Sequence, residues 1–91
     1  MTELVINRCY GGFSLSQKAC EALGLDSPYD DVERTDPRLV QVVRTLGKEA
    51  NGRYSELAVI TLPSATTDYC IEEYDGMEIV IYVVNGKLHF E

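Results

Sequence analysis

The chain has one histidine among its 91 residues, and none of its cysteines stand in Cys-x-x-Cys spacing. Zinc sites need several thiolates or imidazoles at short intervals, so the sequence offers no metal set. There are three cysteines, Cys9, Cys20 and Cys70. An odd number without a secretory leader is no disulfide framework and fits reduced thiols in a cytoplasm. The opening Met-Thr-Glu-Leu has neither the basic start nor the apolar core of such a leader. No apolar run approaches the length of a membrane span. Cations are few as well, with 8 Lys and Arg against 15 Asp and Glu and a net charge of −7. A general nucleic-acid binder needs a basic face, and this chain cannot supply one. What remains open is a local pocket where Arg8, Arg34, Arg38, Arg44 and Arg53 converge. An acidic surface also suits a decoy that fills a partner's basic groove.

What is present is ordinary globular material, 45% apolar and 25% charged, in a length that allows one domain, 1–91. The organising stretch is 7–17. An apolar run, Leu4, Val5 and Ile6, leads into it, and Gly11 and Gly12 break it. Ser14 and Gln17 then spell a capping box ahead of a helical period. We therefore expect a strand over 3–7, a glycine turn, and a helix over 15–23 stopped by Gly24 in the left-handed conformation. An acidic, Pro-containing loop follows, carrying Asp26, Asp30, Asp31 and Glu33. Asp36 as N-cap and Pro37 at the first helical position announce a second helix, ended by Asn51 and Gly52. Gly47 inside it suggests close packing. The period then changes to two: strands are expected over 56–62, 69–74, 77–84 and 87–90. Asp75-Gly76 and Asn85-Gly86 supply the hairpin turns.

The expected fold is α+β, with elements in the order β-α-α-β-β-β-β. Its sheet would be mixed and mostly antiparallel, with both helices on one face and the first two strands as parallel neighbours. Met77, Ile79, Ile81 and Val83 alternate with Glu78, Val80, Tyr82 and Val84, so both faces of that strand are largely apolar. Two helices cannot cover both faces of a sheet, and the surplus predicts a homodimer.

Chemistry is sparse. Cys9 and His89 are the sole candidates for a thiol–imidazole pair and match no protease pattern, so no catalytic residue is assigned. The acidic clusters lack the ordered spacing of a calcium loop. The arginines weigh more. A glycine turn at a helix start offers free backbone donors to an anion. Guanidinium forks recognise phosphate, and tyrosine or phenylalanine stacks on a base. The candidate ligand site is accordingly Asn7, Arg8, Tyr10, Gly11, Gly12, Phe13 and Ser14, with Arg34, Arg38, Arg53 and Tyr54 in support. The plain alternative is a tight connection whose arginines pair with the abundant carboxylates.

Four blocks carry a resemblance: NRCYGGFSLS at 7–16, DPRLV at 36–40, ANGRY at 50–54 and IEEYDGME at 71–78. Together they resemble a family of small proteins of phages and large DNA viruses. After the last block this chain departs from the basic ending of that family, continuing IVIYVVNGKLHFE. The resemblance implies a non-enzymatic viral protein in the host cytoplasm, directed against host defence. It would need no cofactor. Its partner would be a nucleotide-derived signal that it traps, as the Thoeris anti-defence proteins do, or a host protein that it blocks directly.

Overall fold

A computed structural model describes residues 2–27 and 32–91. Asp30 and Asp31 of the acidic loop lie outside the described residues. The elements are β1 (Thr2–Asn7), α1 (Gln17–Leu23), α2 (Pro37–Leu46), a single 3-10 turn (Gly47–Ala50), β2 (Leu57–Leu62), β3 (Thr66–Tyr74), β4 (Met77–Val84) and β5 (Lys87–Phe90). The α+β class and the order of elements are those expected from the sequence.

The strands divide into two antiparallel sheets, β1–β2 and β3–β4–β5. The first overturns the expected parallel pairing. Thr2 lies opposite Leu62 and Asn7 opposite Leu57, and the Arg8 N–H donates to the Glu56 carbonyl at 2.8 Å. The helical excursion thus returns the chain to the end of β1 that it left. A parallel neighbour would require it to cross to the opposite end.

Strand alternation builds three layers. Val5 of β1 and Leu57 and Val59 of β2 pack with Leu15, Ala19, Leu39 and Val43 beneath the helices. Leu4, Ile6, Ile60 and Leu62 point the other way, onto Val80 and Tyr82 of β4. The two-stranded sheet is therefore covered on both faces, which is why β1 is apolar at consecutive positions. Each fully buried aliphatic side chain here contributes roughly 1.5–3 kcal/mol by leaving water. The apolar surplus lies instead on the outer side of the second sheet.

Helix boundaries follow local chemistry. Ser16, not Ser14, caps α1, accepting from the Ala19 N–H at 3.1 Å. Ser14 and Leu15 are held extended by a short ladder: Ser16 N–H donates to the Ala50 carbonyl, Gly52 N–H to that of Ser14, and Leu15 bridges Asn51. A helix cannot begin until that ladder ends, so the expected capping box does not form. Gly24 ends α1 in the left-handed conformation, φ 71°. Asp36 caps α2 as expected, accepting from the Arg38 N–H at 2.8 Å, with Pro37 next. This helix stops earlier than expected, at Leu46. Gly47 is there for its positive φ of 58°, not for packing, since a Cβ at that position would meet nothing within 4 Å. Both hairpins turn on the expected pairs, with Asp75 and Asn85 at φ 51° and 52° ahead of their glycines.

Candidate functional site

The 7–14 turn is built from Asn7 outward. Asn7 is wholly buried at the end of β1, and its side chain is fully used. The amide donates to the Cys9 carbonyl and, at 2.7 Å, to the Gly76 carbonyl. Its oxygen accepts from the N–H groups of Cys9 and Glu56. The Asn7 N–H donates to Glu78 Oε1 at 2.8 Å. Glu78, also buried, accepts two further bonds from Arg34, at 2.6 and 2.8 Å. The Arg34 guanidinium lies 3.7 Å over the Phe13 ring and reaches the Val5 carbonyl. Here the sequence's arginine, aromatic and asparagine close on each other. Such a bidentate pair orients rigidly and leaves little donor capacity for a ligand.

Two other parts of the chain press on the turn. Gly76, at φ 91°, sits so close that a Cβ there would lie 2.4 Å from the Gly12 nitrogen and 2.6 Å from the Tyr10 oxygen. On Gly11 a Cβ would fall 1.9 Å from the Tyr54 carbonyl oxygen. The β3–β4 turn and the 53–54 segment thus both seat against glycine backbone. Even so, neither the Gly11 nor the Gly12 N–H donates a hydrogen bond among the described residues.

Where Gly11 meets Tyr54, a cleft of about 640 Å³ opens. Lys48 and Arg53 line it, with Cys9, Asn51, Ser55 and Glu56. Among the described residues neither cation makes an ion pair. The Arg53 guanidinium lies 5.3 Å from the centre of the Tyr54 ring, which is 60% exposed. Two cations against one carboxylate, Glu56, make the cleft locally positive on an acidic protein.

Of the site residues named from the sequence, the structure brings Gly11, Arg53 and Tyr54 to this cleft. Asn7, Phe13, Ser14 and Arg34 are engaged within the fold; Ser14 is buried, and its carbonyl accepts from Gly52 and Ser55. Arg8 extends the β1–β2 ladder through its backbone, and Tyr10 is exposed at the turn. Arg38 is at the start of α2, paired with Asp36 at 3.2 Å, and does not line the cleft. Sequence reasoning missed Lys48, Cys9 and Glu56. The signal for Lys48 was Gly47, whose positive φ ends α2 just before it. His89 stacks on Tyr82 with ring centres 5.2 Å apart and does not line the cleft that Cys9 does. Among the described residues no three His, Cys, Asp or Glu side chains group to hold a metal, and no helix is long and apolar enough to cross a membrane. The chain matches no protein-family model, no curated protein and no solved structure.

Proposed function

We propose that this protein binds and sequesters a nucleotide-derived small ligand, without transforming it, in the cleft between the 7–14 turn and the 47–57 segment. The observation that carries the reading is a pair of cations with no ion-pair partner among the described residues, Lys48 and Arg53, beside an exposed tyrosine and a glycine backbone. Phosphate oxygens take the ammonium and the guanidinium, and the unbonded Gly11 N–H adds a neutral donor. Tyr54 offers a flat apolar surface to a base. With the resemblance to proteins of phages and large DNA viruses, the reading becomes a trap for a host-defence signal. The test is to incubate the protein with a nucleotide extract from infected and from uninfected cells, filter it, denature it and weigh what is released. A retained phosphorylated nucleotide, lost with Lys48→Ala plus Arg53→Ala, supports the reading. Recovering nothing from either extract ends it.

A second reading draws on exposed carboxylates of Asp68, Glu72 and Asp75 along β3 and its turn, which make no ion pair among the described residues. In that reading the chain blocks a host defence protein by occupying its basic surface. Capture of one host protein at low salt, weakening steeply as salt is added, would favour it over the first.

A further inference from the structure

Among the described residues the outer side of the β3–β4–β5 sheet contributes nothing to either buried core; β4 meets the rest of the fold chiefly through β1, on its inner side. Ladder register fixes what lies there. Phe90 and Cys70 both stand opposite Ile81, Leu88 opposite Val83, Tyr74 opposite Met77 and Glu72 opposite Ile79. Directly opposed residues in an antiparallel ladder share a side, and Val80 and Tyr82, one step along, are already in the core. The face is therefore apolar across β4 and β5 and mixed on β3, where Cys70 and Tyr74 alternate with Asp68 and Glu72; Tyr74, Leu88 and Phe90 are 75%, 64% and 64% exposed.

We propose that a second copy of this chain binds here, sheet against sheet about a two-fold axis. Size sets its strength: eight residues of β4 run about 26 Å, and three strands about 4.8 Å apart give a width near 14 Å. Allowing for the short β5, the footprint is about 300 Å² per copy. Over two copies that is a small footprint, at or below the lower end for specific interfaces and in the range of weak, transient ones. The dimer is reversible rather than obligate.

Charge selects the partner. The face holds no cation, and its two carboxylates, Asp68 and Glu72, both belong to β3 at one edge. With the axis along the strands, each β3 lies over the partner's β5. The carboxylates of the two copies then lie along opposite edges, so like charges do not meet, and at the centre β4 packs on β4 through apolar side chains. A basic partner would match the net charge but leave that centre without an apolar counterpart. The same face on a second copy has the required size and polarity.

Sedimentation equilibrium of the full chain across a range from about 1 μM to 1 mM tests this directly, because a small interface of the weak, transient class needs high concentration to fill. The mass should rise from one chain toward two. Ile81→Lys should weaken association on the order of 30-fold or more, as the loss of a central anchor does. Phe90→Glu, on an exposed edge strand where folding is not at stake, should weaken it in the same direction. Alkylation of Cys70 should slow as concentration rises, while that of Cys9 in the cleft should not. A monomer at every concentration overturns the proposal, as does a dimer indifferent to both substitutions. None of these readouts depends on whether the cleft holds a nucleotide.

Discussion

Asn7, Arg34 and Glu78 form one polar group around the 7–14 turn, and Lys48, Arg53 and Gly11 form another. They contain similar chemistry, a guanidinium, amide donors and an aromatic ring within reach. In the first group the carboxylate and the asparagine are spent internally: the carboxylate takes three donors, and the asparagine side chain ties together three separate stretches of chain. In the second, the cations have no carboxylate within ion-pair distance among the described residues and border a cleft. Proximity of a cation to a glycine turn therefore does not make a ligand site. What separates a structural junction from a binding surface is whether a buried anion has already taken the cation.

Breaking the junction should have the largest effect. Glu78→Ala leaves a part-buried guanidinium and the Asn7 N–H without their acceptor, and should cost about 3 kcal/mol in urea unfolding. Replacing both partners, Arg34→Met with Glu78→Leu, should cost less than Glu78→Ala alone, because no charge is stranded. Next comes the seat of the hairpin. Gly76→Ala combines positive φ with a clash against backbone and should cost about 2 kcal/mol or more. Gly12→Ala also has positive φ, 92°, but open space around it, and should cost only about 1 kcal/mol. Equal losses at the two glycines would show that packing between the turns contributes nothing.

The cap of α2 gives a smaller, pH-dependent effect. A hydrogen bond from the Arg38 guanidinium, then one from its N–H, holds the Asp36 carboxyl below its ordinary value of 3.8. The Arg44 guanidinium does the same for Glu3. A lowered carboxyl stabilises the fold fully above its ordinary value, and that contribution disappears as pH falls through the lowered one. Asp36→Asn keeps an oxygen for the cap and should flatten the acid limb of a thermal-melting profile, with little change at neutral pH. The smallest effect on stability is expected from Lys48→Ala and Arg53→Ala, each within about 0.5 kcal/mol. The same changes should each reduce nucleotide retention on the order of tenfold, the loss of one charge-assisted bond. A large stability loss at either position would place it with the junction and not with the cleft.

Much of this architecture was legible beforehand. The hairpins at Asp75-Gly76 and Asn85-Gly86, the Asp36-Pro37 helix start and the Gly24 stop are each set by local conformational limits, which sequence states directly. What was illegible depends on distant partners. Ser14 lost its cap role to Ser16 because residues 50–52 pair with its backbone. Arg34 looked like Arg53 until Glu78, far along the chain, closed on it. The antiparallel pairing of β1 with β2 turned on where the helical excursion delivers the chain, and periodicity carries no such address.

The rung between Asn7 and Leu57 also sets an order of events during synthesis. β1 precedes both helices, yet the strand it pairs with among the described residues is made after them, and the strands that bury its other side come later still. Its consecutive apolar residues stay exposed until then. A strand that precedes every strand covering it is thus among the last of them to find shelter.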